Sequence, residues 1–185
     1  MKQALLIIDA QQELIDGSEE QTSVYEKEKL IQTINKVIGE AVKLNISVIF
    51  VRDEDVADGR GEGFQVHREI DVPDGAPMFN KQATNAFYGT GLLRHLQDSA
   101  VGHLVMLGCQ TEYCIDTAVR MATVNGFDVT LVEDGHSTAD SDVLPAKQII
   151  AHHNRILHGH YNVDHFSVVR NSEEPLFEPN HDDYR

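Results

Sequence analysis

With 185 residues the chain suits one domain with a full core and is short for two. Hydrophobic residues make up 41% and charged residues 24%, an ordinary globular balance, and no apolar run approaches the roughly 20 residues of a membrane span. A formal net charge of -15 argues against nucleic acid and anionic membrane as partners. Residues 1–9 lack a signal peptide's order, since only Lys2 precedes an apolar stretch that stops at Asp9, so a cytoplasmic protein is expected. The two cysteines, Cys109 and Cys114, flank a turn. Their spacing gives neither a disulfide framework nor a C-x-x-C redox or zinc element.

In chain order, residues 4–8 form an apolar run closed by Asp9. This reads as a central parallel strand with the acid at its carboxyl end. Residues 23–44 carry Leu30, Ile31, Ile34, Val37, Ile38, Ala41, Val42 and Leu44 at helical spacing. Residues 47–52 read as a second buried strand, ending in Arg52. Residues 53–77 are polar and rich in Gly and Asp, a length that suggests a functional loop over the strand ends. Residues 77–81 suggest a short strand delivering Lys81. A helix is expected over 90–99, with Leu92, Leu93 and Leu96 on one face. A strand follows over 103–107, then a turn and a helix that stops near Gly126. Residues 127–132 read as a strand, 143–158 as a helix and 166–169 as a weaker last strand. The tail, 171–185, is acidic, holds Pro175 and Pro179, and reads as loosely ordered.

Strands alternate with helices, and most strands are uninterrupted Val/Ile/Leu runs. That pattern implies a parallel sheet covered on both faces. The expectation is one α/β domain over 1–185, a three-layer α/β/α, Rossmann-like arrangement around a six-stranded, mainly parallel sheet. Ligands bind such sheets beyond the carboxyl ends of the strands. Asp9, Arg52, Lys81 and the turn at Gly108 all follow strands at that end. No Gly-x-Gly-x-x-Gly follows the first strand, so a dinucleotide-dependent oxidoreductase is unsupported.

Residues 108–114, Gly-Cys-Gln-Thr-Glu-Tyr-Cys, link a strand to a helix. A cysteine here sits at the positive end of a helix dipole, which favours a thiolate. Helix-opening N–H groups can also hold an oxyanion. The plain alternative is a small buried cysteine ending a strand. Asp9, Lys81 and Cys114 come from three separate strand ends. A cysteine hydrolase needs a nucleophilic sulfur, a group to take its proton and a cation to steady the charges, roles these three could fill.

Three stretches, taken in order, carry a resemblance. They are Ile7-Ile8-Asp9-Ala10-Gln11, then Lys81-Gln82-Ala83-Thr84-Asn85-Ala86-Phe87-Tyr88-Gly89-Thr90-Gly91-Leu92, then Gly108-Cys109-Gln110-Thr111-Glu112-Tyr113-Cys114-Ile115-Asp116-Thr117-Ala118. The last is similar to a Gly-x-x-Thr-x-x-Cys-(Val/Ile) signature. Across residues 4–170 the sequence resembles the isochorismatase-like cysteine hydrolases, which include nicotinamidase and N-carbamoylsarcosine amidohydrolase. The resemblance implies that fold and hydrolysis of an amide, ureido or lactam C–N bond of a small molecule through a thioester. It implies a catalytic triad of Asp9, Lys81 and Cys114, and an oxyanion hole from the backbone N–H groups of Gln110 and Cys114. It also implies a non-proline cis peptide at Cys109–Gln110, no cofactor, and a homo-oligomer.

Two departures narrow the reading. Nicotinamidases carry an Asp-x-His metal motif after the second strand, where this chain has Asp53-Glu54-Asp55. Asp53, Asp55 and His67 offer donors, but no metal is expected. Isochorismatases proper cleave a vinyl ether and lack the cysteine, so Cys114 favours C–N hydrolysis. Vinyl-ether or ester hydrolysis remains an alternative, as does a non-enzymatic small-ligand-binding module on the same fold.

Phe64, Gln65, His67, Phe87, Tyr88 and Tyr113 are candidates to line the substrate pocket, each as readily a core residue. Thr111 and Glu112 are placed to cap the Cys114 helix. His152, His153, His158 and His160 look like a metal cluster in print. Neighbours on a helix point about 100° apart, however, so surface or subunit-contact roles are expected. The loops over 53–77 and 136–144 are expected to set the substrate.

Overall fold

A computed structural model describes residues 1–19 and 21–177. The first strand, β1 (Lys2–Ile8), shows why its apolar run is uninterrupted: Ala4, Leu5, Leu6, Ile7 and Ile8 are all 0% exposed. Ala4, Leu6 and Ile8 pack with Leu92, Leu96, Ile115 and Val119. Leu5 and Ile7 pack with Leu30, Ile34, Val37 and Ile38 on the other face. Alternate side chains thus serve two cores, and a strand with two apolar faces carries no polar alternation.

The remaining strands are β2 (Ser47–Asp53), β3 (Met78–Lys81), β4 (Val101–Cys109), β5 (Asp128–Ser137), β6 (Tyr161–Asn162) and β7 (His165–Arg170). The helices are α1 (Gln12–Asp16), α2 (Lys27–Lys43), α3 (Gly61–Phe64), α4 (Leu92–Asp98), α5 (Asp116–Val124) and α6 (Ala146–Leu157). The sheet has seven strands in the order β3-β2-β1-β4-β5-β7-β6, and only the β6–β7 pairing is antiparallel. The expected count of six missed β6, whose two residues are too few to show a period. Among the described residues no helix is long and apolar enough to cross a membrane.

Element ends shift where tertiary contacts intervene. The helix expected from residue 23 begins at Lys27, because the Val24 and Tyr25 amides donate to Ile15 O (3.1 Å) and Thr138 O (2.8 Å). The helix expected from 143 begins after Pro145, with Asp140 Oδ1 accepting from the Ala146 amide at 2.7 Å. The tail is not loose over 171–177. Leu176 and Phe177 are 1% and 3% exposed, Gln3 Nε2 donates to Phe177 O at 2.8 Å, and Arg170 donates to Pro175 O at 2.6 Å. The acidic average hid an apolar pair that seals the α2-side core. The rest of the expected tail, 178–185, lies outside the described residues.

The chain leaves β3 at one edge of the sheet and returns as β4 beside β1, on the side away from β2. The topological switch point therefore lies between the carboxyl ends of β1 and β4, where open α/β sheets form their ligand crevice. Gly108 makes that junction close: it pairs with Ile8 at φ 128, and a Cβ there would sit 1.9 Å from Ile8 O. No other residue fits that approach.

Candidate active site

Three strand ends supply the site. Asp9 follows β1 in the left-handed region (φ 49), and its amide donates to Val51 O at 2.9 Å. Asp is among the few residues that tolerate this conformation. β4 ends at Cys109, followed by a cis Cys109–Gln110 peptide and a wide π-type turn over Thr111–Ile115 that leads into α5. Cys114 lies in that turn. Lys81 closes β3, in register with Asp53 of β2. Two strand spacings, about 9.5 Å, separate β3 from β1, so only a long side chain can cross β2 to reach the switch point.

Lys81 makes that crossing. Its side chain is buried, and Nζ lies 2.9 Å from Asp9 Oδ2 and 3.3 Å from Cys114 Sγ. Nζ also hydrogen-bonds Asp53 Oδ2. Donor atoms of Asp9, Asp53 and Cys114 all lie within 4.8 Å of one another. Asp9, Lys81 and Cys114 are thus brought together, and Asp53 joins them as a fourth member. From the sequence Asp53 is a candidate metal donor alone. Its place beside Lys81 follows from the β2–β3 register, which apolar patterning does not reveal.

Two carboxylates share one ammonium here. Burial pushes the Asp9 carboxyl up to about 6; Lys81 opposes this and the Asp53 charge adds to it. Burial disfavours the Lys81 ammonium, but Asp9, Cys114 and Asp53 more than offset it and hold its pKa above the usual lysine value. The Cys114 thiol is pushed up to about 12 by burial and by the Asp9 charge, with Lys81 opposing. Burial thus outweighs both the helix start, which favours a thiolate, and the lysine, which does lower the thiol pKa. At neutral pH the resting site holds two carboxylates, an ammonium and a thiol.

The site opens into a cleft of about 570 Å³. It is lined by Asp9, Glu13, Leu14, Ser18 and Gln21, by Asp53, Asp55, Val56 and Ala57, and by Thr84, Gln110, Tyr113 and Cys114. The contribution of α1 and the residues after it was not anticipated, because a five-residue helix gives little periodic signal. Part of the 53–77 segment lines the cleft, as expected of that loop, while no residue of 136–144 does.

Of the aromatic and histidine candidates, Tyr113 lines the cleft. Phe64 is buried beneath the Arg52 guanidinium, 4.4 Å above its ring. Phe87 stacks on Phe127 in the core at 6.2 Å between ring centroids. Tyr88 is exposed, outside the cleft lining. His67 is buried with Nε2 3.5 Å from Asp16 Oδ1, and its Nδ1 accepts from the Glu69 amide. Gln65 pairs with Arg52. Residue type alone could not separate cleft from core.

Asp53, Asp55 and His67 do not converge as a metal site. Asp53 turns to Lys81 and accepts the Asp55 amide at 3.0 Å, while His67 faces Asp16. The donors that do come together, from Asp9, Asp53 and Cys114, already contact the Lys81 ammonium. The later histidines have separate partners: Ile149 O lies 2.8 Å from His153 Nδ1, His158 Nδ1 accepts from the Val169 amide, and His160 Nε2 lies 3.3 Å from Asn162 Nδ2. The His152 ring packs edge-on against His153.

One buried support escaped sequence reasoning. His136 Nε2 lies 2.8 Å from Asn154 Oδ1, and Nδ1 lies 2.9 Å from Thr111 Oγ1. Asn154 Nδ2 donates to Glu133 O, so its oxygen faces the ring and Nε2 is the protonated nitrogen. Nδ1 then accepts the Thr111 hydroxyl. Burial pushes the His136 pKa down to about 4, keeping the ring neutral. Thr111 therefore ties the Cys114 turn to β5 and α6 and caps no helix. The extension of β5 past a register shift, which brings His136 opposite Gly108, was the missing signal.

The isochorismatase domain profile matches residues 3–149, from β1 through the cysteine turn into α6. The isochorismatase family protein YddQ of Bacillus subtilis is 26% identical over 161 residues, which cover 80% of this chain and 87% of that protein. A crystal structure of an isochorismatase family protein superposes with a TM-score of 0.82 at 31% identity, covering 91% of this chain and 98% of that one. N-carbamoylsarcosine amidase from Thermoplasma acidophilum shares the fold, with a TM-score of 0.74 at 24% identity over 95% of this chain and 99% of that one. Joined by a profile over most of its length and by a relative of the same architecture, this chain belongs to the isochorismatase family of hydrolases.

Proposed function

We propose that the protein is a cysteine-dependent hydrolase of a C–N bond in a small amide, ureido compound or lactam. The observation that carries this reading is the single buried contact in which Lys81 touches Asp9, Asp53 and Cys114 at the switch point. A thiol held near pKa 12 is a poor nucleophile by itself and needs a base at hand. Asp9, ionised above about pH 6, is that base.

In this mechanism the Cys114 proton passes to Asp9 as sulfur bonds the carbonyl carbon. The carbonyl electron pair moves to oxygen, which the backbone N–H groups of Gln110 and Cys114 hold. The C–N bond breaks as the leaving nitrogen takes the proton from Asp9. Water, deprotonated by Asp9, then cleaves the thioester and restores the thiol. Lys81 stays charged throughout and steadies Asp9 and the sulfur in turn.

A screen of small primary amides, ureido acids and lactams, read by ammonia release or ring opening, tests the reading. Turnover is expected from the parent enzyme, and Cys114→Ala is expected to lose about four orders of magnitude or more in kcat. Undiminished turnover by Cys114→Ala overturns the mechanism.

A further inference from the structure

We infer that the cleft selects a small amide bearing a positive charge near its scissile bond, such as an amine or amidine, and discriminates against carboxylate substrates; this rests on the cysteine-hydrolase reading above. Four carboxylates line the cleft, those of Asp9, Glu13, Asp53 and Asp55, and among the described residues no lysine, arginine or histidine does. The neighbouring cations are already engaged. Lys81 is buried and paired with Asp9 and Asp53, Lys27 pairs with Asp16 at 2.8 Å, and Arg52 bonds Asn80 and Gln65. Among the described residues, neither Glu13 nor Asp55 makes an ion pair. Asp9 is fully buried, faces the cleft, and its Oδ1 has no hydrogen-bond partner.

The chemistry sharpens the preference. The resting site holds two carboxylates against one ammonium, so it begins with a surplus negative charge. Attack forms the S–C bond, moves the thiol proton to Asp9 and leaves the carbonyl electrons on oxygen. The surplus charge persists and shifts onto the oxyanion, in a cleft that also holds Glu13 and Asp55. A carboxylate on the substrate adds to this repulsion at every stage, while an ammonium offsets it. The net charge of -15 extends the same field outward and steers cations toward the cleft. A volume of about 570 Å³ admits a small molecule with room for such a group.

The test compares 4-aminobutanamide, pentanamide and succinamate, which present a cation, a neutral chain and an anion on similar frames. Their kcat/KM values for ammonia release are measured at low and high salt, in the parent enzyme and in Glu13→Gln/Asp55→Asn. The cation is expected to exceed the anion by about ten-fold or more at low salt, and the gap should shrink in high salt and in the double variant. An anion turned over as well as the cation, or a gap unmoved by both salt and the double substitution, overturns the inference. If none of the three is hydrolysed, binding to Cys114→Ala decides separately from the mechanism. The cation should then bind about ten-fold more tightly than the anion. Equal affinity, or binding of neither, overturns the charge selection, whereas hydrolysis that survives in Cys114→Ala strikes only the mechanism.

Discussion

Lys81 is the residue on which the site turns, because it spans β2 to reach both Asp9 and Cys114. Its charge opposes the burial that pushes Asp9 and Cys114 upward. Asp53 tunes this balance: its negative charge raises Asp9, and it competes with Asp9 for the same ammonium. Asp53→Asn removes both effects while keeping the shape of the side chain. The Asp9 pKa should therefore fall, and the acid limb of the kcat/KM profile should move from about 6 to lower pH, by about one unit. A pH–rate profile with an unmoved limb would separate Asp53 from the base. Asp9, Lys81 and Cys114 were legible as a set because each lies at or just beyond the carboxyl end of an expected strand, which is where a parallel sheet presents chemistry, and because the three stretches that hold them carry one family resemblance. Asp53 was legible as an acid but not as their neighbour, since that follows from strand pairing. The raised thiol pKa was illegible for a related reason: a dipole can be read from a helix start, whereas burial belongs to the assembled core.

At the scale of elements, the switch point depends on β1 and β4 approaching closely where Gly108 faces Ile8. Gly108→Ala sets a Cβ against a backbone carbonyl, which no rotamer change can relieve. The cost should be on the order of 3 kcal/mol, read as a lowered urea midpoint, and Asp9 and Cys114 should separate, with loss of activity. A variant as stable and active as its parent would show that the junction can open freely. The parallel sheet itself was legible, because strands buried on both faces write unbroken apolar runs. The short elements were not. α1 and β6 are too brief for periodicity, and the start of α2 is set by hydrogen bonds from Val24 and Tyr25 to distant segments. The two loops expected to set the substrate were half legible: the segment after β2 reaches the cleft, whereas 136–144 turns instead to support, with His136 bonded to Thr111 of the Cys114 turn.

Across the whole molecule, Asp9 and His136 are two buried groups on opposite sides of the sheet junction whose ionisations pull stability in opposite directions. Asp9 rises from 3.8 to about 6 on folding, so the folded state holds a proton that the unfolded chain has released. Its contribution is present below pH 3.8 and is lost as pH rises through about 6. His136 falls from 6.5 to about 4, so its contribution is present above pH 6.5 and is lost as pH falls through about 4. The two windows overlap almost completely, and each shift corresponds to roughly 3 kcal/mol. In the parent protein the slopes largely cancel between pH 4 and 6.5. Single variants should uncover them. Relative to the parent, Asp9→Asn removes the term that weakens the fold with rising pH, so its urea midpoint should gain on the parent's from pH 4.5 to 6.5. His136→Gln removes the opposing term, so its midpoint should lose ground to the parent's over the same interval. Comparing differences between each variant and the parent removes the contribution of every group they share. Parallel midpoint curves for all three proteins would mean that neither group changes its protonation on folding. The assignment of Asp9 as a base poised near pH 6 would fall with that result, since the same burial that shapes its stability profile is what holds it there.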